Sequence, residues 1–286
     1  MFGQSIDYHF LKLFTHKNNF ATKEDLDRRA ANRDTALTSK DCIEYFTKVQ
    51  KYFNDSIPIE RGLSYLDIGC GEGRISISLV AKGCDDVTGV DLEERHIVEA
   101  QTIAARSNVH PNFIPADIHN WENSKKYDVI FVLGAMEHIH SLGKFLRALG
   151  TYLKPDGRAY VSHEPFQSPI GDHMVNYFKI QIPWRGVLFS EKAILKLRRE
   201  CYRPDEKVSN YSQIGGGLNQ ISYGKYLRLI EDAELEVESS FINPQLRLKR
   251  KYLPFVPVSK IFTRIPIVRN YFICTAYSVL KIKKKS

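Results

Sequence analysis

Three glycines at alternate positions, Gly69, Gly71 and Gly73, stand in the run Tyr65-Leu66-Asp67-Ile68-Gly69-Cys70-Gly71-Glu72-Gly73-Arg74. A ligand can lie against the backbone only where no Cβ intrudes and φ can turn positive, which glycine allows. A helix starting just beyond would offer N–H groups and partial positive charge to an anionic group. Spacing narrows the ligand. A dinucleotide-binding turn, Gly-x-Gly-x-x-Gly, needs glycine at position 74, and this chain has Arg74 there. Asp67, placed before the turn, suits a ligand with an ammonium group better than one with a pyrophosphate. Asp91 lies 24 residues further on, at the end of Val87-Thr88-Gly89-Val90-Asp91, where a carboxylate can accept both hydroxyls of a ribose. A third acid, Asp117, follows in Pro115-Ala116-Asp117-Ile118. Each group also has a plainer reading: the glycines serve any tight strand-to-helix turn, and a lone Asp91 is a loop acid. Cys70 reads as packing, because no neighbouring base activates it.

Elements must hold these groups in place. From Leu63 onward, short apolar runs alternate with helical stretches. Residues 65–68, 87–90, 112–114, 127–133 and 158–162 read as strands, and residues 74–82, 93–106 and 142–153 as helices. Strands separated by helices imply right-handed crossovers and a parallel sheet covered on both faces. Gly83 and Gly157 sit where a helix stop and a tight turn are wanted. Ahead of the sheet, residues 38–53 carry Ile43, Phe46, Val49 and Phe53 at helical spacing, with Thr38 or Ser39 as cap; residues 21–34 read as a second helix. Later come a helix at 223–232 and strands at 235–241 and 271–280. Residues 164–222 belong to neither series and read as an inserted cover.

This ordered set resembles the class I methyltransferases that use S-adenosylmethionine, over about residues 62–163 and more weakly over 223–283. The family's first motif is matched by Leu66-Asp67-Ile68-Gly69-Cys70-Gly71-Glu72-Gly73, its ribose acid by Asp91 and its adenine-edge acid by Asp117. Tyr127-Asp128-Val129-Ile130-Phe131-Val132-Leu133-Gly134-Ala135-Met136-Glu137-His138-Ile139 resembles the fourth strand and loop of its small-molecule branch. Leu153-Lys154-Pro155-Asp156-Gly157-Arg158 resembles the turn into the fifth. The resemblance implies an α/β fold: a Rossmann-like, seven-stranded, mostly parallel sheet with its last strand antiparallel. It divides the chain into an N-terminal helical segment (1–60), a cofactor-binding core (61–163), an acceptor-site cover (164–222) and a last stretch of helix and strands with a basic tail (223–286). The implied cofactor site comprises Asp67, Gly69, Cys70, Gly71, Gly73, Asp91, Leu92, Asp117, Ile118 and Leu133, with Trp121 either flanking the adenine or lying on the surface.

Under that resemblance the reaction is methyl transfer. A sulfonium methyl is already an activated electrophile, so the protein must align acceptor, methyl and sulfur, for which positioning supplies up to roughly 7 to 11 kcal/mol. A hydroxyl acceptor must also lose a proton, and histidine suits that task. His138, after the fourth strand, and His163, ending the fifth, are the candidate bases; a hydrogen-bonded structural role is the alternative for either. Glu137, beside His138, reads as a loop brace. In the insertion, His173, Trp184 and Arg185 are candidate acceptor contacts. Asp172 and His173 alone are too few for a metal, so none is expected. Tyr177, Phe178, Phe189, Tyr202 and Tyr211 can face a sugar or an aromatic ring, or pack a core, and Gly215-Gly216-Gly217 reads as a hinge. The chain has no Asn/Asp-Pro-Pro-Tyr/Phe run after the fourth strand and no Pro-Cys pair, which argues against nucleic acid. The expected activity is O-methylation of a small hydroxylated metabolite or of a sugar in a glycan or glycolipid. A nucleic-acid methyltransferase and a binding module without catalysis are the alternatives.

Composition agrees with a folded domain: 286 residues, 43% hydrophobic and 26% charged, with 17 Gly and 12 Pro. The five cysteines, Cys42, Cys70, Cys84, Cys201 and Cys274, never form Cys-x-x-Cys, so neither a disulfide framework nor a zinc site is expected. The first ten residues lack a signal-peptide pattern, and no run is apolar enough to span a membrane; the expected location is cytoplasmic. Net charge is +8, yet from Asn243 onward there are 11 Lys or Arg and no acid. Basic residues around Tyr252-Leu253-Pro254-Phe255-Val256-Pro257-Val258 can dock on an anionic bilayer. The simpler expectation is that residues 256–267 pack as the connection between the last two strands, with the lysines solvated.

Overall fold

The computed structural model describes residues 6–15, 37–174, 182–201, 203, 207–214, 217–243 and 260–284. Seven strands form one sheet in the order β3-β2-β1-β4-β5-β7-β6: β1 Ser64–Ile68, β2 Asp86–Asp91, β3 Asn112–Pro115, β4 Tyr127–Val132, β5 Leu153–His163, β6 Leu235–Asn243 and β7 Thr275–Ile282. The first five pair in parallel, and β7 runs antiparallel between β5 and β6. All five residues of β1 are buried, as expected of a central strand covered on both faces.

Alternation along the strands divides the core. Leu66 and Ile68 face α5 (Leu142–Tyr152) and α7 (Tyr223–Asp232), packing with Phe145, Leu149 and Tyr226. Tyr65, Phe131 and Tyr160 face the other way, onto α2 (Ser39–Tyr52) and α3 (Arg74–Ala81) through Phe46, Val49, Ile75 and Leu79. Thr38 starts α2 with reciprocal bonds, its hydroxyl accepting the Asp41 N–H and its own N–H donating to the Asp41 carboxylate, which satisfies two otherwise orphaned donors. The N-terminal segment is thus partly built into the sheet's cover. Helix α4 (Glu94–Arg106) buries Ile97, Ala100 and Ile103 against Phe113 of β3.

The insertion is more than a cover. Phe166, Met174, Ile194, Leu197 and Tyr211 form a second core with Tyr8 and Leu11 of α1 (Ile6–Leu13), and Ile194 and Leu197 come from α6 (Glu191–Cys201). Tyr211 is 2% exposed and meets Phe166 edge-on at 4.8 Å, while Phe189 stacks on Phe10 at 5.8 Å; these rings pack rather than line a pocket. Tyr177, Phe178, Tyr202, Gly215 and Gly216 lie outside the described residues, as does the helix expected at 21–34.

Two ends of the chain depart from expectation. The last strand begins at Thr275, because Arg269–Tyr271 forms a 3₁₀ turn whose neighbour Phe272 stacks on Phe262 at 4.7 Å and meets Trp184 at 5.5 Å. In the described part of the connection, Ile261, Ile265 and Ile267 are 63%, 40% and 85% exposed, so this stretch does not pack as a buried link. Lys281 and Lys283 are paired with acids, Lys281 with Glu236 and Glu238 and Lys283 with Glu231. The remaining basic cluster, 247–251, lies outside the described residues.

Candidate cofactor and acceptor site

In the sheet order, β1 has β2 on one side and β4 on the other. At such a reversal of winding a crevice opens beyond the C-terminal strand ends. The loops leaving β1 and β4 meet there: a Cβ on Gly69 would stand 2.8 Å from the Ala135 Cβ. Gly73 sits equally tightly, at φ +74°, with the Phe113 ring 2.5 Å from where its Cβ would be. Gly71 differs. Its φ is +52°, yet nothing lies within 4 Å of its Cβ position, so the turn is open on the side where a ligand would approach.

The acids are held by specific donors. Asp91 Oδ2 accepts the Gly71 N–H at 2.8 Å, while Oδ1 accepts the Glu93 N–H at 2.9 Å and lies 3.1 Å from His96 Nδ1. Burial alone would push the Asp91 carboxyl up, but the bonds from His96, Glu93 and Gly71 together hold it below its ordinary value. His96 is raised in turn, chiefly by its bond to Asp91. Asp117 accepts the His119 N–H and the Asn120 side-chain amide, both at 2.9 Å.

Asp67 is 3% exposed, and its Oδ2 accepts the Ser76 hydroxyl at 2.8 Å. Burial pushes its carboxyl up to about 7, and bonds from the Ser76 side chain and backbone offset part of that. It therefore ties the end of β1 to the first turn of α3. Cys70 is packed against α4 residues, and burial raises its thiol well above the ordinary range, which fits the inert reading. Leu92 is 68% exposed, Leu133 is half-buried against the α2–α3 side, and Ile118 packs on the opposite core. Trp121 packs on that core too, tilted against Tyr152 at 5.6 Å, and its carbonyl accepts the Tyr152 hydroxyl.

On the acceptor side, a 3₁₀ turn at Met136–His138 follows β4. Asn219 clamps it, donating its side-chain amide to the Met136 and Ile139 carbonyls and its N–H to the Glu137 carbonyl. His138 Nδ1 donates to the Gly217 carbonyl at 2.5 Å, which leaves the lone pair of the neutral ring on Nε2. Gly217 is accordingly anchored at this point of the expected hinge.

Two sequence expectations change here. His163, a candidate base, is fully buried, stacked on Tyr226 at 4.6 Å with Nε2 3.3 Å from the Ile221 carbonyl, and burial lowers it to about 4. In this packing the ring is closed off from solvent. Arg185, a candidate acceptor contact, is 1% exposed and spent on a two-pronged bond to Asp172, Nε to Oδ2 and Nη2 to Oδ1, both 2.8 Å. Trp184 uses its Nε1–H on the Tyr271 carbonyl.

His173 does reach the crevice, its ring edge-on to His138 at 5.2 Å. It meets Glu137 and Glu164 there, one ligating atom of each lying within 4.8 Å of the others. The sequence reading weighed Asp172 with His173 and so missed this trio, whose members are distant in the chain. It also missed His96; the signal for that residue was its place in the first turn of the helix after Asp91.

The fold and this crevice define a class: a Rossmann-like enzyme fold whose open glycine turn is tied to the ends of β1 and β2. The chain belongs to the S-adenosylmethionine-dependent methyltransferases, the family profile described as a methyltransferase domain matching residues 19–192. A ubiquinone biosynthesis O-methyltransferase of Rickettsia bellii is 33% identical over 115 residues, 40% of this chain and 46% of that protein. Its counterpart in Rickettsia conorii is 29% identical over 170 residues, 55% and 57% of the two chains. The chain thus spans about half the length of the curated relatives it matches. An S-adenosylmethionine-dependent methyltransferase from Clostridium acetobutylicum has the same fold at 13% identity, covering 91% of this chain and 99% of its own (TM-score 0.53). One from Mesorhizobium loti, at 15% identity, covers 81% and 97% (TM-score 0.52).

The residues present fit S-adenosylmethionine. Gly71 leaves open the space a side chain would fill, and Asp91 Oδ2, which has one protein donor where Oδ1 has two, can accept a further hydroxyl.

Proposed function

We propose that the protein methylates a hydroxyl oxygen of a small acceptor, with Asp91 holding the ribose of the cofactor and Asp117 and Ile118 at its adenine edge. When bound, S-adenosylmethionine supplies an activated methyl group. The chain's own part is to align the acceptor, keep water out and take up its proton. The observation that carries this reading is the convergence of Glu137, His138, Glu164 and His173 on the edge of the sheet that also bears the open glycine turn. A module that only bound the cofactor would have no use for such a cluster. His138 is the preferred proton acceptor, since its ring is held in the Nε2 lone-pair tautomer and is not buried like His163. The O-methyltransferase names of the Rickettsia relatives support oxygen as the atom methylated. Among the described residues no helix is long and apolar enough to cross a membrane.

The deciding assay supplies labelled S-adenosylmethionine with a panel of phenols, sugars and glycolipids beside transfer and ribosomal RNA. Label should move to a small hydroxylated compound, and His138→Ala should lower kcat by roughly 10² to 10⁴ fold without weakening cofactor binding. Label in RNA alone, or none anywhere, would overturn the reading.

A further inference from the structure

We propose that Glu137, Glu164 and His173 form a binding site for one divalent cation at the C-terminal edge of the sheet. Glu137 belongs to the 3₁₀ turn after β4, Glu164 is the first residue beyond β5, and His173 comes from the insertion. Three separate stretches therefore bring one ligating atom each to within 4.8 Å of one another.

The independent sign of a ligand is polarity left unsatisfied. Glu137 is 4% exposed, yet its Oε2 has no hydrogen-bond partner, and neither has the buried Nε2 of His173. His173 Nε2 meets Glu164 Oε2 only as a long ion pair at 3.5 Å, short of good hydrogen-bond geometry. A buried carboxylate is costly unless paired or bound to a metal, and a second carboxylate beside it adds repulsion. A cation shared by the three groups would remove both costs.

The surroundings hold the trio in place. Asp172, next to His173, is locked by Arg185 and accepts the Met174 N–H at 3.2 Å, so the turn presenting His173 is fixed from below. Asn219 clamps both ends of the turn bearing Glu137. Arg185 and Asn219 are positioning residues in this arrangement.

Two carboxylates and one imidazole mix hard and borderline donors, a set that suits Mn²⁺ or Zn²⁺. Three protein ligands leave coordination positions open, as catalytic sites do. We assign an open position to the acceptor's hydroxyl oxygen, and this part rests on the methyl-transfer reading above. The cation site itself does not.

The test uses the full chain freed of metal by chelation. Mn²⁺ binding is followed by electron paramagnetic resonance, Zn²⁺ binding by calorimetry, and folding by circular dichroism. One ion per chain is expected. Glu137→Gln and His173→Ala, the latter on a loop where folding is least at risk, should each weaken binding by more than the roughly 10- to 100-fold cost of losing an outer-shell partner. Asp91→Ala should keep the cation while binding S-adenosylhomocysteine about 10- to 100-fold more weakly, so the two sites fail separately. Cation binding without methyl transfer to any acceptor would uphold the site and overturn the acceptor assignment. No binding of either ion, or binding unchanged in both folded variants, would overturn the site.

Discussion

Asp91 Oδ2 accepts the Gly71 N–H at 2.8 Å, so the acid ending β2 holds the glycine turn that ends β1. One carboxylate thereby shapes the turn, and the proposed ribose contact falls on the same group. Asp91→Ala removes a charged acceptor, and hydrogen bonds to charged groups contribute about 1.5 to 3 kcal/mol. Calorimetry with S-adenosylhomocysteine should accordingly find affinity lowered by about 10- to 100-fold. An unchanged affinity would remove Asp91 from the site.

The Asp91–His96 pair sets a pH window. Folded His96 holds its proton more tightly than in the unfolded chain, so its contribution is complete below the ordinary value of about 6.5 and fades as pH rises through the raised one. Asp91, held below its ordinary value, contributes above about pH 4 and loses that contribution as pH falls through the lowered one. Between those limits both charges are present. An NMR titration should place His96 above an exposed histidine, and Asp91→Asn should bring it down; no movement in that variant would rule out the coupling.

Gly71 and Gly73 should separate binding from folding. Alanine at 73 meets Phe113 at 2.5 Å in a left-handed backbone, so thermal unfolding should register a loss of about 1 to 3 kcal/mol or more. Alanine at 71 finds open space at φ +52° and pays mainly the backbone term of about 1 to 2 kcal/mol. Its methyl instead enters the proposed cofactor space, so the larger loss should appear in cofactor affinity. Equal effects of the two variants on binding would contradict this division.

Arg185 and Asp172 are each about 1% exposed. Removing one partner strands a buried charge, so Arg185→Ala should cost about 3 to 5 kcal/mol in denaturant melts. Replacing both by apolar residues of similar volume should recover much of that loss. If the single variant were nearly neutral, Arg185 would be reachable by solvent and a substrate role would return.

The exposed Ile261, Ile265 and Ile267 stand near Lys260, Arg264 and Arg269 in the chain. Peripheral contact with anionic bilayers would use this stretch, each basic group contributing about 1 kcal/mol near the surface. Anionic vesicles should then pellet the protein at low salt and release it as the Debye length shortens from about 30 to 8 Å. Protein left in the supernatant at low salt would leave a soluble acceptor as the working assumption.

The sheet and the glycine turn at the mouth of the crevice were legible in the sequence because their signals are local. A strand, a glycine turn and a helix start occupy ten consecutive residues at 65–74, and the period of the apolar residues separates strand from helix over a few positions. Asp91 ends β2 and Asp117 lies two residues beyond β3, so their placement followed once the strands were read. Ser76 and His96, each in the first turn of the helix that follows, were the hidden partners of Asp67 and Asp91.

Only tertiary structure decided the acceptor end. His138 follows one parallel strand and His163 ends the next, and the two look equivalent in the sequence, yet packing buries His163 on Tyr226 and leaves His138 partly exposed. Arg185 stood among the candidate acceptor contacts, yet Asp172, 13 residues before it, takes its Nε and Nη2 donors and the Ile182 carbonyl takes Nη1. Glu137, Glu164 and His173 belong to three stretches with no common period, and their meeting depends on how the insertion folds back over β4 and β5. Burial and long-range contact are properties of the packed chain, and short-range spacing carries no record of them.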